Sequence, residues 1–433
     1  MLLASCTPEP TPTPTPTRTP TPKPTNGVPV PAGTIRSTWT KDQYAFGAVS
    51  VTPVGAGAET RSALARPVDD RLFFAGEATD GDAPGTMRGA IASGDRVADE
   101  VRDAAEPGER IAVIGAGLAG ATAAARLRDA DFQVTVVEAR DRVGGRVPSR
   151  VDDAWPVPAQ LGAWLFGDAD DDLVDMLSAE DIGIVDLSGE LWRTPEGDTD
   201  PVTPDALLAA ITTAQAGTDD VSIADALTTA GADLDDPATA ALLAFLTTGA
   251  GADAADLSSW FAPPLPATEP RAARDSLAPF IEHALDGVQV GLNQPVTRLA
   301  YDETGVSVRM GTGEALSFDR VIVTVPLGVL QEQGIEFDPS LPFANRGAIS
   351  ALAMGSIETV WLRWDEPFWD AEEAVWHTVG GDALIRTWVN LRPATGENVL
   401  VGIVGGDAAR EFAELDDEAA VEAALESLGV YLT

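Results

Sequence analysis

Hydrophobic positions are sparse at the start of the chain and then arrive in short blocks. From Thr7 to Thr25, threonine and proline alternate over most positions. Proline fixes φ and removes a backbone donor, so residues 1–33 are expected to be an extended linker, the repeat reaching on the order of 80 Å. The clearest periodic block lies further on. Ile111-Ala112-Val113-Ile114 reads as a buried strand, and the six residues from Gly115 to Gly120 as a turn. Ala121 to Asp129 reads as an alanine-rich helix, and Gln133 to Val137 as a second strand ending at Glu138. Asp168 to Ala284 has mostly helical period, Val321 to Leu330 reads as a strand and a turn, and Glu418 to Leu428 as a helix. No apolar run reaches the roughly 18 residues that a membrane-spanning helix requires.

Composition changes this picture in three ways. A chain of 433 residues with 45% hydrophobic and 22% charged positions is globular and comfortable for two domains. Its formal charge of −40 repels phosphates and anionic lipid, which speaks against nucleic acid as a partner, and attracts small cations such as protonated amines. One cysteine, Cys6, and two histidines, His283 and His377, leave no disulfide framework and no metal centre. Lysine occurs only at positions 23 and 41, so chemistry that needs a buried lysine has almost no candidate. Leu3-Ala4-Ser5-Cys6 resembles a bacterial lipobox, although only five residues precede the cysteine. One reading is a lipid anchor at Cys6 that tethers the protein to the cell envelope; the other is an idle thiol in a cytoplasmic protein.

The turn at Gly115 carries the first chemistry. Gly115, Gly117 and Gly120 form a GxGxxG spacing between strand and helix. Such glycines let a pyrophosphate approach backbone N–H groups at a helix N-terminus, here at Leu118 and Ala119. Glu138, eighteen residues after Gly120, suits the hydroxyls of an adenosine ribose. Glu138-Ala139-Arg140-Asp141-Arg142-Val143-Gly144-Gly145-Arg146 follows at once. Gly144 and Gly145 permit a second close approach, and Arg142 and Arg146 can neutralise phosphate. Leu161-Gly162-Ala163-Trp164 comes soon after. Taken alone, these segments also fit a salt-bridged turn and a core tryptophan.

In this order they resemble the flavin-containing amine oxidase family, whose members act on monoamines, polyamines and amino acids. Arg71 to Thr79 resembles that family's FAGEAT signature, with Gly76 and Glu77 inside it, and Gly85 to Arg96 resembles the helix start that follows. Trp39 to Val54 resembles a stretch that precedes the signature, and Val296 to Leu299 a strand near the adenine. In the family the signature is C-terminal; here it precedes the GxGxxG. The resemblance therefore covers about residues 34 to 433 in circularly permuted order, with residues 104–109 as the joining loop. The alternative is a gene-model or assembly artefact that places one oxidase's tail before another's head. The implied fold is α/β, a Rossmann-like FAD-binding domain with an α+β substrate domain, of the glutathione-reductase-like FAD type. Its expected division is FAD domain at 34–165 and 286–330, a helical substrate region at 166–285, and substrate domain at 331–433.

The resemblance implies noncovalent FAD, an amine substrate and molecular oxygen. Hydride passes from the carbon beside the amine nitrogen to flavin N5; the imine hydrolyses, and oxygen reoxidises the flavin to give hydrogen peroxide. It assigns cofactor binding to Gly76, Glu77, Thr86, Met87, the Gly115–Gly120 turn, Glu138 to Arg140, Arg142, Gly144 to Arg146, Leu161 to Trp164, and Val296. Thr86, Trp164 and Thr359 fall at the reacting end. The helix that starts near Met87 would point its positive end at the flavin ring. Three departures stand out. Thr359 occupies the position, four residues after Gly355, where the family has a lysine. Val49 and Thr86 replace the flavin-facing aromatics of monoamine oxidases. Ala48 replaces the cysteine that some members link to FAD. Trp192, Trp260, Phe261, Trp361, Trp376 and Trp388 are available to line a substrate cavity, but core packing is the commoner role for each. Arg271 and Arg274 fit surface ion pairs better than a substrate carboxylate. Open alternatives are a same-fold desaturase or dehydrogenase, a nonenzymatic FAD-binding lipoprotein, and a nicotinamide-dependent dehydrogenase.

Overall fold

The structure is a computed structural model that describes residues 27–432. Cys6, Lys23 and the Thr-Pro repeat lie outside the described residues. Five strands form a parallel sheet in the order Gln289–Gly291, Gln133–Val137, Arg110–Ile114, Arg320–Val323, Leu72–Phe74. Their residues are apolar on both faces because both faces are covered. Phe73, Ile111, Val113, Val136 and Ile322 pack toward the helices Met87–Ala104 and Leu118–Arg128. Phe74, Ala112, Ile114, Val321 and Val323 pack toward a four-stranded sheet that includes Val296–Asp302 and Gly305–Met310. The Leu118–Arg128 helix starts three residues earlier than its sequence pattern predicts, directly after the second glycine of the turn, Gly117, which is its N-cap.

A second, seven-stranded sheet runs in the order Gly33–Arg36, Ile357–Arg363, Val399–Gly405, Thr387–Asn390, Val375–Thr378, Glu190–Thr194, Gly197–Thr199. Only the pair Glu190–Thr194 with Val375–Thr378 is parallel. Alternation gives it two faces. Val360, Leu362, Trp376, Trp388 and Leu400 point to a core completed by Phe412, Val421 and Leu428 of the C-terminal helices. Thr359, Trp361, Val389, Val401 and Ile403 point the other way, toward the first domain.

Tertiary pairing redraws the expected boundaries. Val28 is fully buried and the Pro29 carbonyl accepts the Trp364 indole N–H, so the fold begins before residue 34. Gly33–Arg36 pairs with Ile357–Arg363 and belongs to the second sheet, not to the FAD domain. Glu190–Thr194 and Gly197–Thr199 extend that sheet from inside the region read as helical. Residues 296–318 contribute their own sheet rather than more of the parallel one. Residues 106–108 form an exposed loop between the Met87–Ala104 helix and the Arg110–Ile114 strand. The two described ends meet: a Cβ on Gly27 would lie 3.5 Å from Leu432.

Glu358 fastens the early segment to the second sheet. It is fully buried, and its carboxylate accepts from the Ser37 hydroxyl at 2.5 Å, the Trp39 N–H at 3.1 Å and the Thr40 N–H at 2.8 Å. Replacing it by alanine strands three donors. Glu358→Ala is expected to lower unfolding free energy by about 3 kcal/mol in a urea titration, whereas a neutral result would show that this segment is not held by the carboxylate.

Candidate active site

A cavity of about 920 Å³ lies between the C-terminal edge of the parallel sheet and the inner face of the seven-stranded sheet. Its first half is built where parallel strands end: Gly76 follows Leu72–Phe74, Gly115 follows Arg110–Ile114, Glu138 follows Gln133–Val137 and Thr324 follows Arg320–Val323. This is the edge where open α/β sheets bind ligands.

Gly115 is held at φ +112°, and a Cβ there would lie 2.7 Å from the Thr324 hydroxyl. Only glycine fits that close turn. The turn leads into Gly117, Leu118 and Ala119, all on the cavity wall at the helix N-terminus. Gly120 is off the wall; its backbone packs on the Gly115 carbonyl, where a Cβ would come within 2.0 Å. Glu138 is buried, and its two oxygens accept the Ala116 and Arg140 N–H groups, each at 2.8 Å. That fixes the carboxylate beside the turn with lone pairs left for hydroxyl donors. Ala139, Arg140 and Val296 complete this end. Asp42 clamps the Arg140 guanidinium at 2.7 and 2.8 Å, and the rings of Trp39 and Tyr44 lie beside it at 5.8 and 5.4 Å.

Gly144, Gly145 and Arg146 also line the cavity, with Leu161, Gly162, Ala163 and Trp164 beside them. Gly162 has no room for a side chain, because a Cβ would meet the Arg146 carbonyl at 1.9 Å. Arg142 does not reach the wall. Its guanidinium bonds the Val143 and Gly145 carbonyls, and burial, then the neighbouring Arg140, pull its pKa below the ordinary value. It braces the turn and is not placed to neutralise phosphate. Arg146 lines the cavity but pairs with Glu77 at 2.9 Å and with the Ala48 carbonyl at 3.0 Å.

Glu77 is buried and fully engaged. It accepts from the Ser50 hydroxyl at 2.6 Å, the Gly85 N–H at 2.8 Å and Arg146. Burial opposes its ionisation, but Arg146, Ser50 and Arg61 outweigh burial and hold its pKa below the usual carboxylate range. Arg61 bonds Ser50, Thr52 and the Ala78 carbonyl from behind; burial draws its pKa down, against Glu77 and Asp80. Ser50 and Arg61 were not among the expected site residues; Ser50 lies inside the Trp39 to Val54 stretch, and no motif carried Arg61. Thr86 lines the cavity as the N-cap of Met87–Ala104, its hydroxyl accepting from Gly89 and donating to the Ala83 carbonyl. Met87 is buried beside it.

The second half is the inner face of the seven-stranded sheet. Ile357, Thr359, Val375, Thr387, Val389 and Ile403 line it, with Phe245 and Pro266 across from them. The six aromatics proposed from sequence do not line it. Trp361, Trp376 and Trp388 are fully buried in the cores, Trp192 stacks on His377, and Trp260 and Phe261 are exposed. The lining aromatics are instead Trp39, Tyr44, Trp164, Phe166 and Phe245. Arg271 pairs with Asp171 and Arg274 lies near Asp275, as surface ion pairs. Among the described residues no cluster of side chains suits a metal ion. Two helix N-termini, a glycine turn without Cβ atoms and an anchored acid fit a dinucleotide, and the apolar half fits a ring system and a small organic molecule.

Comparison with known proteins agrees with this division. Residues 20–102 and 235–432 match the family model for flavin containing amine oxidoreductases, and residues 113–179 match that for an NAD(P)-binding Rossmann-like domain. Polyamine oxidase 4 of Oryza sativa subsp. japonica is 29% identical over 358 residues, covering 73% of this chain and 72% of the relative. Polyamine oxidase 2 of Arabidopsis thaliana is 28% identical over 348 residues, covering 73% and 71%. Among solved structures, wild-type putrescine oxidase bound to putrescine aligns with a TM-score of 0.60 at 20% identity, over 75% of this chain and 81% of that one. Cyclohexylamine oxidase from Brevibacterium oxydans IH-35A aligns at 0.62 and 19% identity, over 75% and 82%.

Substituting Gly115 tests the cradle. Gly115→Ala forces a left-handed backbone onto a side chain and a contact with Thr324, and is expected to weaken FAD retention about tenfold, read as the dissociation constant by equilibrium dialysis. Unchanged retention would place the dinucleotide elsewhere.

Proposed function

The chain belongs to the flavin containing amine oxidoreductases, FAD-dependent enzymes that oxidise amines, and from that premise we propose that it oxidises aliphatic amines with oxygen as acceptor. The observation that carries the reading is the continuity of one cavity from the anchored Glu138 to the apolar sheet face around Thr359. Bound FAD supplies a two-electron acceptor. The protein's share is binding and exclusion of water. Glu138 would offer lone pairs to ribose hydroxyls, and the helix start at Gly117–Ala119 would offer N–H groups to phosphate. The Met87–Ala104 helix, capped by Thr86, turns its positive end to the cavity, where it would face the flavin ring. Trp164 and the valine and isoleucine side chains of the sheet keep the reacting end dry. Noncovalent binding is supported by Ala48 on the cavity wall, which offers no nucleophile. The names of the polyamine and putrescine oxidases it resembles support an aliphatic amine, as does the −40 charge that draws cations in.

We further infer that the chain is a circular permutant of the family order. Support comes from the contact between Gly27 and Leu432, which would be the joined ends, and from the exposed 106–108 loop, which would be the opened one. Leu3-Ala4-Ser5-Cys6 and the Thr-Pro repeat support a lipid-anchored placement at the envelope.

Two experiments test these readings. The purified protein should show a visible flavin band that an aliphatic amine bleaches without oxygen and that air restores with hydrogen peroxide. Bleaching without return in air would favour a different acceptor; a band that no amine bleaches would favour a desaturase or a binding protein; a colourless protein would favour a nicotinamide enzyme. A reordered chain, opened between Pro107 and Gly108 and joined from Leu432 to Gly27 by a short glycine linker, should retain equimolar FAD and the same amine reduction rate. Loss of FAD in a folded reordered chain would overturn the permutation.

A further inference from the structure

A row of three indoles leads out of the cavity. Trp164 is buried and lines the cavity wall. Its ring centre lies 5.2 Å from that of Trp361, with the planes tilted by 50°. Trp361 is fully buried on the inner face of the seven-stranded sheet and meets Trp155 edge-on at 6.4 Å. Trp155 is half-buried and lies over the edge strand, where a Cβ on Gly33 would come 3.8 Å from its ring. Both separations are those of aromatic rings in contact. The Trp361 indole N–H has no hydrogen-bond partner among the described residues, although a buried indole usually finds one. A longer run of contacting rings, Trp364, Trp369, Trp376 and Tyr431, has no member on the cavity wall. Phe245 leads from the wall to His377 and Trp192, but its benzene ring is far harder to oxidise than indole. Trp39 and Tyr44 also line the cavity; their rings flank the Arg140 guanidinium and lead to no further ring among the described residues.

Packing asks for large apolar side chains here, not for indoles alone from wall to edge. Indole is among the side chains that give up one electron most readily, and rings in contact pass it on. Flavin in its ground state is too weak an oxidant to take that electron, but after absorbing blue light it is strong enough. We propose that Trp164, Trp361 and Trp155 form a one-electron relay by which light drives reduction of the bound FAD from the protein surface, without amine. Trp164 gives one electron to the excited cofactor, Trp361 refills Trp164, and Trp155 refills Trp361. A dissolved dithiol then refills Trp155. After two photons the dithiol has lost two electrons and two protons and closed to a disulfide, and FAD has gained both electrons, with its protons taken from water. The Trp361 N–H has no base beside it, so the oxidised ring is refilled rather than deprotonated. Trp155 sheds its N–H proton to water while oxidised and regains it on reduction, which holds the oxidation where the dithiol can reach it. This goes beyond amine oxidation and rests only on FAD binding.

The test uses the full chain loaded with FAD, in dithiothreitol under blue light, without amine or oxygen. Wild type is expected to lose its flavin band, and an illuminated, frozen sample to show a neutral tryptophan radical by electron paramagnetic resonance. Trp155→Phe and Trp361→Phe are each expected to slow the bleaching about tenfold and to remove that radical. In the dark, both variants should keep FAD and be reduced by an amine at the wild-type rate, which separates loss of the relay from loss of the fold. Trp155 is half-buried, so Trp155→Phe decides the matter if Trp361→Phe loses FAD. Equal bleaching in wild type and Trp155→Phe would mean that the dithiol reaches the cofactor through the cavity mouth, and overturns the relay. Absence of a tryptophan radical in illuminated wild type overturns it too. A chain that bleaches through the relay in light, but that no amine reduces in the dark, keeps this inference and overturns the amine-oxidising reading.

Discussion

The Glu77 carboxylate lies where three stretches of chain meet, with almost no solvent around it, and a charge there must be neutralised. Arg146 supplies the opposite charge, Ser50 and Gly85 supply donors, and Arg61 braces Ser50. Each partner comes from a different segment: the early strand Val49–Val51, the turn before Met87, and the glycine-rich stretch after Glu138. Removing one member would leave the others buried and unpaired, so the network holds those segments in a single arrangement. The consequence for chemistry is direct. Arg146 is committed to Glu77 and the Ala48 carbonyl, Arg142 to turn carbonyls and Arg140 to Asp42. Phosphate binding therefore rests more on backbone N–H groups and helix ends than on free guanidinium groups.

The second half of the site depends on strand parity. Thr387 and Trp388 are neighbours in one strand, yet the first lines the cavity and the second is fully buried in the opposite core. Val375 and Trp376 divide in the same way. A shift of one residue in register would fill the chamber with indole rings and strip the core of them. Glu358 belongs to the same logic. It faces away from the cavity, holding Ser37, Trp39 and Thr40, while its neighbour Thr359 faces in. Trp39 in turn donates its indole N–H to the Leu161 carbonyl at 2.6 Å, tying the early segment to the wall that carries Trp164.

What could be read from the sequence was local. The Gly115 turn, the strand before it, Glu138 and the glycines of 144–145 form one contiguous motif, and they lie where the pattern placed them, although Thr324, which closes on Gly115, comes from far along the chain. The six aromatics were offered for the lining with core packing favoured for each, and Trp361, Trp376 and Trp388 do lie in the cores; the aromatics that line the cavity were not picked out because residue type was counted and strand parity was not. Taking Thr359 as facing the site, the same parity in adjoining strands points to Thr387, Val375 and Ile403, but the pairing that relates them is tertiary. Gly33–Arg36 was assigned to the wrong domain for the same reason, since its partner lies more than 300 residues away. Val28 looked like linker because proline surrounds it, and only the docked C-terminal helices give it a core. Arg142 failed differently: its spacing suited phosphate, yet nearby carbonyls were closer acceptors.

The same distinction explains why chain order matters little to the site. Arg36 donates to Asp417 at 2.9 Å and to the Leu415 carbonyl at 2.8 Å across almost the whole sequence. In an order that ran from Leu432 into Gly27, those residues would be near neighbours in sequence. The native contacts would be unchanged, and the difference would fall on loop closure, which grows only with the logarithm of length, at about 0.6 kcal/mol per doubling. Against that stand the buried Glu77 network and two sheets whose strands come from both ends of the chain. The free energy of the folded state is therefore set by which residues meet, and the order in which they are joined acts mainly on how fast they find each other. A site assembled from Gly76, Gly115, Glu138 and Thr359 asks of the covalent chain only that its ends fall where neither sheet nor cavity is interrupted.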